Sequence, residues 1–558
     1  MKRKINYIII LFLLIFSGCN YLYFDESTGQ PKDWYYEYFN NLKSLVTFGY
    51  VNIYQDFGVI NGAMLDCGTD DAEYVYSNAQ VQSLNNGSWS AFKTVDPRWT
   101  ESYKAICSMN DFLATYDFKK LERFKYSQNY VDDLRQARYY PFEARILRVY
   151  HFFELAKRYG DIPMPLKVLT REEANTIGKT PFDDVISFIV KECNSVMDSL
   201  PVRWDAPGFN GETGRFTKGA VMALKSRALL YAASPLFNQG NNIGKWIQAA
   251  QAANDLINTG FYSLEPINKN IFNTIEANSK EIILTDRNPQ SNDFEKNNFP
   301  IGYQGGASGN TPTQNLVDAY QTITGYDVTL NSNGWVSNDP LFDPKAPYAR
   351  RDPRFYQTVL YDNAQWKGRP IEVFRNGLDA PPITGASTTG YYLKKYVVES
   401  VNLSPAVNST AFHHWIIYRY ADILLSYAEA MNEAYGPTGL GGSFTTTALA
   451  ALNQIRTRAQ MPVYAGLSKD QFREALKRER RVELAFEGHR FWDVRRWMIG
   501  ESTQKNINGV SITKDGLGAK TYTFTNVDSR VWDNKMNLFP IPQQETYINK
   551  NLAQNPGW

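Results

Sequence analysis

Apolar and aromatic residues recur at intervals of three and four through much of the first half of the chain, the spacing that builds one buried face of an α-helix. Trp34 to Tyr54 carries such residues at roughly helical spacing. Trp99, Tyr103, Ile106 and Met109 or Asn110 are in register over 99–113. Phe142, Ile146, Val149 or Tyr150, and Phe153 share a face over 141–159, and Gly160 and Pro163 stop that helix. Pro181 to Leu200 predicts a helix with Thr180 as its cap and proline at the first helical position, where a missing N–H costs nothing. Thr217 caps another, followed by Ala220, Leu224, Ala228 and Tyr231, and 246–258 is a further one, ended by Gly260. Ala220, Ala223, Ala249, Ala250, Ala252 and Ala253 stand where neighbouring helices would touch. Short connections make such helices antiparallel hairpins. No clean 34-residue repeat can be read, but the pairing logic is that of tetratricopeptide units.

The pattern changes between about Leu264 and Ala411. Gly, Pro, Asn, Thr and Tyr become frequent, helical periodicity fades, and strand-like pieces are short, as at 281–285 and 391–398. Helices return at 416–435 and 447–459, with Gly436-Pro437 and Met461-Pro462 as stops. The block 477–497 then interleaves charges with Leu476, Leu484, Val482 and Phe486 at helical spacing. Gly488 is placed to end that helix in a left-handed conformation. The rest is loop-rich, and its prolines 540, 542 and 556 preset an extended tail that wraps the body and packs Phe539 and Trp558 into it. The expected fold is mainly α. Tetratricopeptide-like hairpins form a helical body (34–263 and 412–558), and 264–411 forms an irregular, loop-rich α+β second lobe of the same unit, 34–558.

Charge narrows the function. The 558 residues hold 59 basic and 57 acidic side chains, a net charge of +2, which argues against a nucleic-acid partner or an electrostatic membrane binder. Within 477–497, Glu474 with Arg478, and Glu479 with Arg480 and Glu483, could form short-range pairs. The block reads as a structural clasp more readily than as an anion site, because its acids nearly match its bases. Four His supply a metal centre or triad poorly, and no nucleophile elbow, phosphate-binding loop or metal-ligand spacing appears. No cofactor and no metal are expected. Cys19, Cys67, Cys107 and Cys193 make no disulfide framework. A Cys67–Cys107 bridge is open, with buried free thiols favoured.

The first residues are a targeting segment. Lys2, Arg3 and Lys4 precede an apolar run, Ile8 to Phe16, too short to span a bilayer comfortably, and Ser17-Gly18-Cys19 follow. This resembles the bacterial lipobox. Residues 1–18 would be the signal peptide, Cys19 the lipidated residue and 19–33 a polar tether, leaving the protein attached through its N-terminal lipid alone. Further on, 66–97 is a long segment rich in carboxylates, amides and aromatic rings, a composition often functional in a compact domain.

Several stretches taken together resemble one family. They are EARILRVYHFFELAKRYGDIPM (143–164), TKGAVMALKSRALLYAASPLFN (217–238), YRYADILLSYAEAMNEA (418–434), ALNQIRTRAQMP (451–462), RERRVELAFEGHRFWDVRRW (478–497), and LFPIPQQE with NPGW (538–545, 555–558). With the lipobox, the chain resembles the SusD/RagB outer-membrane lipoproteins from end to end. The resemblance implies a cell-surface glycan-binding protein with no enzymatic activity. Such a protein sits on a SusC-like TonB-dependent transporter and passes oligo- or polysaccharide to it. The ligand contacts it implies lie in the 66–97 and 300–400 regions. An aromatic platform with acid, amide and guanidinium partners suits a sugar's apolar face and hydroxyl belt. That selects Asp71 with Trp89 first, then Trp335, Arg375 and Tyr392, then Tyr303. Two other classes stand beside it: a peptide-binding or scaffold lipoprotein using the helical groove, and a glycoside hydrolase built on two of Asp66, Asp70, Asp71 and Glu73.

Overall fold

The computed structural model describes residues 36–558 other than Pro97, Pro207, Gly208 and Asn210. The lipobox and Cys19 lie outside the described residues.

The chain is mainly helical. Its longer helices are α1 (Phe39–Val51), α2 (Arg98–Thr115), α3 (Tyr140–Tyr159), α4 (Phe182–Val196), α5 (Lys218–Ala233), α6 (Ile243–Asn258), α7 (Tyr420–Tyr435), α8 (Ala448–Arg458), α9 (Lys469–Glu483) and α10 (His489–Arg496). α3 is buried along nearly its whole length and packs against α1, α2 and α4. α5, α6 and α7 pack in succession. The alanines expected at helix contacts are buried there, and a small side chain lets two helix axes approach. Gly219 goes further: a Cβ on it would lie 2.2 Å from the Tyr262 hydroxyl. Thr217 caps α5 as expected, its hydroxyl accepting from Ala220 N–H at 3.1 Å. At α4, Pro181 is itself the cap residue, and Asp161 accepts from Phe182 N–H at 2.8 Å.

Three boundaries differ from the periodic reading. The helix expected from Ile416 starts at Tyr420. Residues 414–419 instead form strand β6 (His414–Arg419), which pairs antiparallel with β2 (Ile282–Arg287), because both are apolar runs covered on each face. The loop-rich C-terminal part holds a hairpin of β7 (Asn506–Lys514) and β8 (Lys520–Ser529), joined through Asp515 and Gly518. Of the strand expected over 391–398, only Tyr392–Leu393 pairs, since Tyr396 adopts φ +66° and turns the backbone away. The tail does wrap the body. Phe539 is buried, and Trp558 packs edge-on against Trp89 at 4.6 Å. Cys67 and Cys193 are buried free thiols, and Cys107 is a free thiol at the surface.

The charged block is a clasp, built differently from the short-range pairs its spacing offers. Glu474 pairs with Lys477, Asp493 takes Arg480 and Arg496 from within the block, and Glu479, Glu483 and Glu487 reach distant elements. Arg419, at the end of β6, spends all its N–H groups on Glu281, Glu483 and Glu487, with contacts of 2.7–2.8 Å. Glu479 takes Arg354 and Arg456. Arg480 bridges Asp422 and Asp493, and Arg496 joins Asp493 to Glu429, which also accepts from the Trp497 indole. α9 ends at Glu483. Gly488 does adopt the left-handed conformation (φ 72°, ψ 5°), but as the residue before α10, not as the end of α9. Apart from the exposed Glu474–Lys477 pair, every partner is buried, so each charge is stable there only because it is paired and hydrogen-bonded.

Candidate functional site

The two regions expected to carry the ligand meet. β1 (Ala72–Tyr74) pairs antiparallel with β3 (Asn310–Pro312), Glu73 opposite Thr311. Asn310 fixes the junction from one buried amide. Its Oδ1 accepts from Met64 N–H (2.8 Å) and the Cys67 thiol (3.1 Å), while Nδ2 donates to Gly62 O (3.1 Å) and Asn298 Oδ1 (2.8 Å).

Most residues singled out for the site fall inside this junction or elsewhere in the core. Asp71 is fully buried and held by the Arg481 guanidinium at 2.5 Å. Burial pushes its carboxyl up against the opposing pull of Arg481. Beside it, burial also acts on Asp70, but Arg481, Arg490 and Arg530 outweigh it and hold that carboxyl at about 2. Trp89 is 3% exposed, wedged edge-on between Phe539 (5.0 Å) and Trp558 (4.6 Å). Trp335 lies in the short hairpin of β4 (Val328–Asn331) and β5 (Gly334–Ser337), against Tyr348 at 5.6 Å and Tyr522 at 6.3 Å. Tyr392 is buried, its hydroxyl donating to Asp379 O at 2.6 Å. Large rings and lone acids placed in apolar company are taken into the core, and the acid–platform pairing expected of Asp71 and Trp89 is corrected to two core contacts. Tyr303 is half-buried. Its ring lies beneath the Arg369 guanidinium at 3.9 Å, and its hydroxyl donates to Trp366 O at 2.8 Å. Arg375 is exposed, its backbone N–H bonded to Ile512 O at 2.7 Å.

What the junction presents to solvent is a different set. Ile60 and Ala63 exchange backbone hydrogen bonds around Asn61-Gly62, and both turn residues have positive φ (50° and 92°). That is the tight hairpin turn for which Asn-Gly is favoured. A Cβ at Gly62 would stand 2.5 Å from the Tyr74 hydroxyl, so only glycine lets this turn seat on the strand. The turn exposes Asn61, whose Nδ2 donates to Gln80 Oε1 at 2.8 Å, leaving its own oxygen free to accept. Asn297 closes the other side, accepting from Tyr74 Oη at 2.9 Å and donating to Gly62 O at 2.6 Å. Burial, first, pushes the Tyr74 phenol up to about 12, so it stays a donor at neutral pH. Past β1, Tyr76 is 39% exposed. Its hydroxyl donates to Ala307 O at 3.1 Å, and its ring meets Tyr74 edge-on at 5.5 Å. The ring is thus fixed at both ends, with Ser77 and Asn78 exposed next to it in the chain and Gln304 exposed in the loop that supplies Ala307. A fixed aromatic face bordered by amides and hydroxyls can stack on one apolar ring surface and exchange hydrogen bonds with neutral hydroxyls. Composition drew attention to Trp and Asp and so past Tyr76. The Asn61-Gly62 dipeptide was the legible signal for the turn that builds the other half.

This mainly helical architecture is shared with known proteins. Residues 268–558 match the model described as the SusD family, and residues 24–230 match one described as starch-binding and associating with the outer membrane. The chain belongs to the SusD family. It is similar to a SusD-like protein of Bacteroides fragilis NCTC 9343, with a TM-score of 0.78 and 27% identity over 95% of this chain and 99% of that one. A second structure, a SusD-like carbohydrate-binding protein of the same strain, gives a TM-score of 0.74 and 25% identity over 93% and 100%. SusD-like protein P2 of Formosa agariphila is 23% identical over 487 residues, 85% of this chain and 81% of that protein. Among the described residues, no helix is long and apolar enough to cross a membrane.

Proposed function

We propose that this protein is a non-catalytic glycan receptor, lipidated at Cys19 and held on the outer face of the outer membrane. It captures oligo- or polysaccharide and hands it to a SusC-like TonB-dependent transporter. The observation that carries the glycan reading is the solvent-facing Tyr76 ring, fixed through Tyr74 and Ala307 where the 57–80 segment, which exposes Asn61 and Asn78, meets the 297–312 segment, which exposes Gln304. The naming of the Bacteroides fragilis relative as carbohydrate-binding supports it. A hydrolase would need two carboxylates facing a cleft. The acids of the 66–73 segment are instead interior. Asp70 and Asp71 are held by arginines, Glu73 pairs with Arg530, and Asp66 accepts from Phe486 N–H. In this reading the helical body (34–263 and 412–558), with its tetratricopeptide-like pairing, faces the transporter, and the 264–411 lobe completes the ligand face.

Native gel electrophoresis of the soluble body through gels containing single polysaccharides tests the reading. Retardation by a glycan that Tyr76→Ala abolishes supports it, and retardation untouched by that change removes the site from 57–80. One feature favours a peptide-binding second reading: a groove of about 610 Å³ along α4, α5 and α6. It is floored by Ile186, Val190 and Leu229 and rimmed by Asp183, Lys225 and Lys245. Binding of peptides and indifference to every glycan would favour that reading.

A further inference from the structure

The groups that the junction offers to a ligand are neutral, and three cations on its 296–307 side, Lys296, Lys367 and Arg369, already have partners. Asn61, Tyr76, Ser77, Asn78 and Gln304 present amides, hydroxyls and one ring. Lys367, which lies over the Phe299 ring next to the 300–307 loop, donates its ammonium to Glu399 O at 2.6 Å and Val401 O at 2.7 Å. Arg369 covers Tyr303 and binds Asp379 through two contacts of 2.7 Å, with a third N–H to Pro370 O. Lys296 pairs with Asp293, whose side chain is 80% exposed. The remaining exposed charge by Lys367 is a carboxylate, Glu399, which accepts from Lys367 N–H. A sugar bearing a carboxylate or sulfate would give up hydration here to meet, at Lys296, Lys367 and Arg369, cations that already have partners, and its charge would stand near Asp293 and Glu399.

From this we infer that the Tyr76 surface selects neutral glycans against uronate- or sulfate-bearing ones. Because Tyr303 is already covered by Arg369, Tyr76 is the platform, and the epitope is about one pyranose ring with its flanking hydroxyls. This inference rests on the glycan-receptor reading. Recognition through a ring face and neutral hydrogen bonds is insensitive to salt, whereas attraction between exposed charges is screened over roughly 10 Å at 0.1 M salt.

The test is affinity electrophoresis of the full soluble body in two sets of gels. One holds neutral polysaccharides (α- and β-glucans, mannan, xylan), and the other holds polygalacturonate and sulfated glycans. Wild type, Tyr76→Ala and Tyr76→Phe run side by side, with fluorescence-monitored melting to check folding. The expected result is retardation by a neutral glycan alone. Apparent affinity should change less than about twofold between 50 and 500 mM salt. It should fall at least about tenfold in Tyr76→Ala and be largely kept in Tyr76→Phe, which retains the ring. Retardation by an acidic glycan that depends on Tyr76 overturns the inference and leaves the receptor reading standing. Retardation by any glycan that is indifferent to Tyr76 overturns the assignment of the site, and the inference with it. No retardation by either set overturns both.

Discussion

Between Asp66 and Glu73 every carboxylate is buried and met by a guanidinium or a backbone N–H. From Tyr76 to Gln80, three residues further on, no side chain carries a charge, and the Tyr76 ring faces solvent. The first stretch fastens the chain to α9, α10 and Arg530, and the second faces out from the junction. Both are polar, and composition alone does not separate them. What separates them is the partner. A carboxylate in an interior needs a specific cation, and α9 and α10 supply Arg481 and Arg490. Neutral amides and phenols can stay at the surface without such a partner, and there they are free to bind.

The sharpest way to break this contrast is to remove a cation from the clasp. Arg419→Ala leaves Glu281, Glu483 and Glu487 buried with their common partner gone, a loss of about 3–5 kcal/mol. The expected outcome in chemical denaturation is a midpoint far below wild type or failure to fold. A small shift would mean that the clasp is not what holds the body. Trp89→Ala comes next. Truncating a buried indole costs about 3 kcal/mol or more, yet the fraction that remains folded should bind glycan as wild type does. Lost binding in folded Trp89→Ala protein would return the ligand to the interior end of the segment.

Acidity gives a third, smaller test. Burial pushes the Asp66 carboxyl up to about 7, with Asp71 adding to the effect. A carboxyl whose folded pKa lies above its unfolded value takes up a proton on folding, so the penalty it imposes is present above pH 7 and disappears below about pH 4. Asp66→Asn keeps an acceptor for Phe486 N–H. It should match wild-type stability at pH 4 and exceed it progressively towards pH 7 in denaturant titrations. Equal curves at both pH values would show that Asp66 has a cation partner in solution. At the small end stands Tyr76→Ala, which should change folding stability by only about 0.5 kcal/mol while abolishing retardation by glycan. A large stability loss there would make Tyr76 one more core residue.

The helices were legible because their apolar periodicity, proline starts and glycine stops are local, and α2, α3, α5 and α8 begin and end within a few residues of where those signals fall. Residues 416–419 read as helix because their apolar run continues into α7. Only the pairing with β2, more than a hundred residues earlier, makes them a strand. The β7–β8 hairpin was missed for the opposite reason: its signal is local, with Val510, Ile512, Tyr522 and Phe524 alternating with polar residues around the Asp515–Gly518 turn, but the polar residues between them read as loop. The proposed binding surface was half legible. Composition marks 66–97, the family resemblance adds 300–400, and the two regions meet at the pairing of β1 with β3. The choice within them failed at Asp71, Trp89, Trp335 and Tyr392, because burial depends on what the far chain brings. Nothing local marks Asp71 as the partner of Arg481, 410 residues away.

The pairing of β1 with β3 joins Glu73 to Thr311, 238 residues apart in the chain. Loops that long close late and release their entropy on opening. The proposed ligand surface is therefore assembled by closure and has no counterpart in either segment alone. A glycan bound across it draws on the same free energy that keeps the two ends of that loop together, and occupancy should raise the unfolding temperature in proportion to the logarithm of glycan concentration. On the proposed reading, the protein would report its ligand through its own resistance to melting, even when the bound sugar moves no domain.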